Sequence, residues 1–324
     1  MPTISSKALW TAAAVAMGFA AGAAHAQTFP SKPLRIIVPF PAGGNADLTS
    51  RMLGEPLNKA LGQPVIVDNR PGAGAVIGYE LAAKAPPDGH TLLIVYPSFI
   101  INPSIRRVQY DPLKDFRPVT QLIALPMMIA VHPSLPVRTF KEYVALARAR
   151  PGAISYASPG VGTIQHVVAE LIKQTTKTDL IHVPYTGFAI AMPALVGGHV
   201  TSALGNVFDV VPFVQSGKVR AIVVTGSART ELLPDTPTMR ETGFPEFEAM
   251  NWGGFVVPAA TPTAAVIRLN NELVRILRTA EIQEKFRMQG QTAVSSTPEQ
   301  LASLLQSESA RYSKIVKAAG IRAE

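Results

Sequence analysis

The 324-residue chain has no cysteine. Disulfides and a lipid-attachment cysteine are therefore excluded, as is any thiolate metal site. Also missing are a P-loop, a G-x-S-x-G nucleophile elbow and an H-E-x-x-H helix, so none of the compact catalytic signatures is present. Four of the six histidines, His132, His166, His182 and His199, have no metal-ligand spacing and read as structural or capping residues. Basic residues outnumber acidic ones, 30 to 22, for a formal charge of +8. They are scattered, however, and no basic run is interleaved with aromatics, which argues against nucleic acid as a partner. The surplus reads as a solvated basic surface that favours acidic partners in general. No internal repeat or low-complexity segment occurs.

Residues 1–26 read as an export signal. Lys7 provides a thin positive start, ALWTAAAVAMGFAAGAA an apolar core, and Ala24-His25-Ala26 a small-residue cleavage site before Gln27. The core is short for a bilayer span and no second transmembrane stretch follows, which favours cleavage over a retained anchor. The expected product is free in an exported compartment, the bacterial periplasm.

The run Pro-Phe-Pro-Ala-Gly-Gly-Asn-Ala-Asp at 39–47 carries the most information. It follows an apolar β-rich stretch at 34–38 and opens a helical pattern at 46–60. A strand emptying through a small glycine turn into a helix start exposes free backbone N–H groups beside the positive end of the helix dipole, a seat for an anion. A second such turn, SYASPGVGT at 155–163, lies about a hundred residues on. Two walls of one cleft for a small acidic molecule are the implied arrangement.

Strand patterns at 34–38, 64–68, 90–96, 153–157, 179–184, 199–204 and 219–225 alternate with helical ones at 46–60, 75–84, 139–149, 163–176, 187–196 and 207–215. The alternation predicts two α/β layers on largely parallel sheets. Thr139 with Glu142 forms a capping-box pattern, Thr297-Pro298-Glu299-Gln300 starts another helix, and Gly290 and Gly320 mark stops. In the helix expected over 262–279, Ile267, Leu269, Leu273, Ile276 and Leu277 form the apolar face. The apolar stretch 117–132, interrupted by Pro126, and the glycine- and aromatic-rich stretch 246–259 read as passages between domains. One lobe then comprises 27–125 plus 250–324, and the other 126–249.

PSKPLRIIVPFPAGGNADLTSR (30–51), VIVDNRPGAGAVIG (65–78), APPDGHTLLI (85–94), RARPGAISYASPGVGT (148–163), HVPYTGFAIAM (182–192), SGKVRAIVVT (216–225) and LPDTPTMRETGFPEFEAMNWGGFVVPAATP (233–262) resemble the extracytoplasmic receptors of the tripartite tricarboxylate transporter family, also called Bug receptors. The resemblance covers nearly all of the chain after residue 26. It implies an α/β periplasmic binding protein of the type II arrangement, two α/β lobes closing on a small organic acid held in the cleft between them. A tripartite tricarboxylate-type membrane transporter or a sensor kinase is the implied partner, and a monomer suits a receptor that opens and closes.

Ala42, Gly43, Gly44 and Asn45 are the first candidates for ligand contact, because small residues let backbone amides approach an anion. Asp47 would repel an anion and is assigned to the helix N-terminus instead. Ser158, Gly160, Gly162 and Thr163 form the second seat, with Thr163 also a candidate N-cap. Tyr185, Thr186, Gly205 and Asn206 complete that wall, and Ser98, after Tyr96-Pro97, faces the cleft from the first lobe. Packing or hinge duty suits Tyr96-Pro97-Ser98 and Trp252 equally well. Against the family pattern, Thr186 stands where Lys is common, Phe188 where Ser is, and Gly205 where Asp is. These departures predict a less charged cleft and a ligand with an apolar or aromatic part beyond its carboxylate.

Gly72-Ala73-Gly74-Ala75-Val76-Ile77-Gly78 superficially matches a dinucleotide fingerprint, but its third glycine falls one place late, and no cofactor is expected. The competing functional class is a secreted α/β hydrolase acting on a small ester or amide through Ser158 or Ser98 with a histidine. It lacks a recognisable nucleophile motif.

Overall fold

The computed structural model describes residues 29–323. The export signal expected at 1–26 lies outside the described residues. Strands β1 (Leu34–Val38), β2 (Val65–Asn69) and β3 (Thr91–Val95) precede a 16-residue strand, β4 (Phe116–Val131). Strands β5 (Ser155–Ser158), β6 (Ile181–Pro184), β7 (Ser202–Asn206) and β8 (Arg220–Val224) follow, and β9 (Met250–Pro258) and β10 (Thr292–Ala293) end the series. Their order is β2-β1-β3-β9-β4-β7-β5-β6, with β8 and β10 also pairing with β4.

The sheets are mixed, which corrects the expectation of largely parallel ones. Strand β1 runs parallel to β2 and β3, and β5 parallel to β6 and β7, whereas β4 and β9 are antiparallel to every neighbour they have. The apolar stretch 117–132 is β4 itself. Residues up to Pro126 pair with β9, and Met127 to Val131 pair with β7 and β8. Proline removes one donor from a ladder, and it falls at the point where β4 changes partners. Buried Thr225 secures that point: its N–H donates to Met127 O (2.8 Å), and its hydroxyl donates to Ala249 O (2.7 Å) while accepting from Met127 N (3.1 Å).

Helices α1 (Asn45–Leu61), α2 (Val76–Ala83), α3 (Ser98–Ile105), α4 (Phe140–Ala149), α5 (Ile164–Thr176), α6 (Phe188–Val196) and α7 (Val207–Gln215) connect the strands. Helices α8 (Thr263–Leu277), α9 (Ala280–Met288) and α10 (Pro298–Ala319) close the chain. Both capping boxes form, Thr139 with Glu142 on α4 and Thr297 with Gln300 on α10, and Gly320 ends α10 in the left-handed conformation. On α8 the buried stripe is Val266, Leu269, Leu273, Ile276 and Leu277. Ile267 is half exposed, one position off the stripe that the helical period selects. Helix α3 has no side-chain cap and an apolar sequence, SFIINPSI, so nothing local announced it. It is held by burial of Phe99, Ile100, Ile101 and Ile105 and by α10, whose inner face (Leu301, Leu305, Tyr312, Ile315, Val316) also packs on β4 and α5.

Gly78 lets α2 press against the segment leading into the 39–47 turn. A Cβ there would lie 2.6 Å from Pro39 Cβ and 2.9 Å from Arg70 O. Gly78→Ala is expected to lower unfolding stability by about 1–3 kcal/mol, read from urea denaturation, because a backbone carbonyl and a proline ring cannot step aside.

Candidate functional site

The carboxyl ends of β1, β3, β5, β6 and β7 all empty toward one cleft of about 540 Å³. Crevices at this end of α/β sheets are where ligands sit, and the volume suits a small molecule. Among the residues lining the cleft there is no lysine, arginine or histidine, and Asp209 is the only carboxylate.

The first wall is the start of α1. Gly44 is its N-cap in extended conformation and offers no side-chain cap, so the first-turn N–H groups of Asn45 and Ala46, both lining residues, have no intrahelical acceptor. Gly43 N–H is already committed, donating to Asp47 Oδ2 (2.9 Å). Asp47 is buried and paired with Arg51. Burial alone would raise its pKa, but the hydrogen bonds from Arg51, Gly43 and Asn69 prevail and hold it below the usual carboxylate range. It secures the turn, as the sequence assigns it. Asn45 Oδ1 accepts from Tyr96 O–H (2.6 Å), which turns the amide so that Nδ2 remains as a donor. Ser98 lines the same wall, and its Oγ lies 2.8 Å from Tyr79 Oη.

The second wall is the start of α5. Thr163 caps it by accepting from His166 N–H (3.4 Å) while its hydroxyl donates to Gly160 O (2.8 Å), and Gly162 N–H donates to His166 Nδ1 (3.2 Å). Those groups are spent on the loop. Ile164 and Gln165 are in the first turn and on the lining, and their N–H groups have no intrahelical acceptor. Behind them Ser158 Oγ, fully buried, lies 2.7 Å from His182 Nε2, and the His182 ring stacks on His166 at a 3.8 Å centroid distance. Burial, with Lys173 nearby, lowers the His166 pKa to about 4. Burial and then His166 lower that of His182 to about 3. A serine and two neutral imidazoles thus brace the loop from beneath.

The third wall comes from β7, α7 and β9. Asn206 Oδ1 accepts from Asn251 Nδ2 (3.0 Å) and Gln165 Nε2 (3.5 Å), while Asn206 Nδ2 donates to Asp209 Oδ2 (2.9 Å). Burial raises the Asp209 pKa to about 6, against the lowering effect of its bonds from Asn206. Thr186, Gly187 and Phe188 close this side. The Phe188 ring occupies the space that a Cβ on Gly205 would fill.

Of the residues singled out in the sequence, Gly44, Asn45, Ser98, Gly162, Thr163, Thr186 and Asn206 line the cleft. Ala42 and Gly43 are exposed and not on the lining. Ser158 and Gly205 lie buried behind the lining, and Gly160 and Tyr185 in the supporting loops. Lining residues that the sequence did not offer as ligand contacts include Asp209, Asn251, Gln165, Phe208 and Gly72, Gly74 and Ala75 of the stretch set aside there as a dinucleotide fingerprint, where Ala73 and Ala75 as well as the glycines hold positive φ. Asp209 had a weak signal, a carboxylate in the first turn of a helix leaving a strand. The left-handed alanines had none.

Residues 49–321 match the family described as "Tripartite tricarboxylate transporter family receptor". The chain is 34% identical over 303 residues to protein BugT of Bordetella pertussis, covering 92% of each. The solved structure of Rhodopseudomonas palustris Rpa4515 with adipate is 31% identical at a TM-score of 0.81, covering 91% of this chain and 99% of that one. MatC from Rhodopseudomonas palustris with bound malate is 30% identical at 0.77, covering 89% and 100%. The architecture is accordingly that of the periplasmic binding proteins.

Gly205→Ala is expected to destabilise the protein by about 1–3 kcal/mol, and Phe188→Ser in the same chain to remove most of that cost. Urea denaturation of the two single variants and the double variant measures the coupling. The two histidines set a pH response. Their folded pKa values lie below 6.5, so the unfolded chain binds more protons and stability, full above about pH 6.5, drains away as pH falls through about 4. Urea midpoints between about pH 7 and 4 should fall in the native chain and fall less in His182→Gln.

Proposed function

Since this chain belongs to the tripartite tricarboxylate transporter receptor family, we propose that its cleft captures one small organic acid whose carboxylate is held by backbone amides and whose body is apolar. The observation that carries the reading is the pair of helix starts, α1 and α5, whose uncommitted N–H groups belong to residues lining the cleft, with no cationic side chain beside them. Phe40, Leu125, Ile164, Phe188 and Phe208 supply apolar wall, which supports the inference made from the departures at 186, 188 and 205. The adipate and malate held by the two relatives are carboxylates of this size class.

The lobes are assigned to 27–125 plus 250–324 and to 126–249, with the partner change at Pro126 and its Thr225 bonds as the flexing point. Ligand shifts the balance toward the closed form only by its preference for that form. The closed receptor is then presented as a monomer to a tripartite tricarboxylate-type transporter or a sensor kinase in the periplasm, after cleavage at Ala26-Gln27. Among the described residues no helix is long and apolar enough to cross a membrane. Binding without turnover is favoured over ester or amide hydrolysis. Ser158 does pair with a histidine, but it is fully buried behind the lining, and the side-chain partner of Ser98 is a tyrosine.

Calorimetry with succinate, hexanoate and 3-phenylpropanoate tests this reading. The two acids with apolar bodies should bind, be recovered unchanged, and at 100-fold saturation stabilise the fold by about 2.7 kcal/mol. Phe188→Ser should weaken 3-phenylpropanoate about tenfold and leave succinate unaffected. Tight binding confined to succinate would remove the apolar part of the proposal.

A further inference from the structure

The third wall has the wrong polarity for a simple anion. The cleft lining carries no cation, and its single ionisable carboxylate, Asp209, donates nothing when ionised. Asn206 satisfies one Asp209 oxygen. Next to it Asn251 is 6% exposed, lines the cleft, and uses its Nδ2 on Asn206, which leaves its Oδ1 buried with no partner. An unpaired buried carbonyl and a half-satisfied carboxylate on one wall each cost free energy until a donor arrives. Among the described residues, the Asn206 and Gln165 amides on this wall are already committed, to Asp209 and to Asn206.

Building on the organic-acid reading above, we propose that the ligand is a zwitterion, an apolar acid bearing an ammonium group. Its carboxylate meets the N–H groups at the starts of α1 and α5, and its ammonium is received by Asp209 and Asn251 Oδ1. An ammonium has three donors and a positive charge, so it satisfies both acceptors and neutralises the half-buried carboxylate at once. A plain monocarboxylate leaves both unanswered. A dicarboxylate places a second negative charge against Asp209, and like charges at close range oppose binding. The raised pKa of Asp209 has a related origin: a largely desolvated carboxylate with no cationic side chain on the cleft lining.

Matched pairs that differ only in the amino group give the test: L-leucine against 4-methylpentanoate, L-phenylalanine against 3-phenylpropanoate, and L-glutamate against glutarate. Titration calorimetry with the native protein near pH 8, where Asp209 is ionised, should show the amino member of an apolar pair binding at least about tenfold tighter. In Asp209→Asn, which keeps shape and removes charge, that preference should shrink to about threefold or less, with the des-amino acid binding as well as or better than before. The wild-type ratio is informative by itself, whatever the stability of the variant. Equal or tighter binding of the des-amino acids to the native protein overturns the inference and leaves the organic-acid reading standing. An amino preference that survives Asp209→Asn unchanged also overturns it. If no member of any pair binds, the organic-acid reading falls and this inference falls with it.

Discussion

A negative charge held in a closed cleft without a positive side chain must be met by dipoles that are already in place. Backbone amides at helix starts serve that purpose because the chain has fixed them before the ligand comes, and no long side chain has to be ordered to reach it. Most of the architecture follows from putting two such starts face to face. Strands β1 and β5 run in opposite senses along the sheet order and each ends at the cleft, each continues through a short glycine-bearing turn, and each turn releases a helix. The turns survive because other groups take up their remaining polar atoms. Asp47 holds Gly43, and the Ser158, His166 and His182 cluster holds Gly160 and Gly162. The first-turn amides that these braces leave free include those of Asn45, Ala46, Ile164 and Gln165, residues that line the cleft.

The braces also give several conspicuous polar residues a structural task. Ser158 with His182 has the distance of a nucleophile and its base, yet it is packed beneath the loop and bonded to Gly160. Proximity of a serine and a histidine specifies a hydrogen bond, and catalysis needs an open approach for a reacting carbonyl as well. Here the approach is filled by the loop that the pair supports.

Much of this was legible in the residues. The turn at 39–47 lies between a strand and a helix with boundaries within a residue or two of those read from the pattern, and the alternation along 139–225 translates almost element for element. Local chemistry governs those features, through small turn residues, caps and apolar period. What escaped depends on distant partners. Strand β4 reads as a passage because Pro126 breaks its pattern, and only β7, β8 and β9 around it make a single 16-residue strand of it. Helix α3 lacks a cap and exists by burial against α10, nearly two hundred residues away. In the cleft, Asn251 and Asp209 are 42 positions apart and become one wall only through the Asn206 amide, a relation with no periodicity to betray it.

The packing of Phe188 over Gly205 bears on how such a cleft can change over generations. The ring fills the space where any side chain on 205 would begin, so the two positions form a lock with an order of operations. A larger side chain at 205 is better accommodated once 188 is small, since with the ring in place the two must displace each other. The order in which the two positions change therefore matters, and the aromatic residue sets that order.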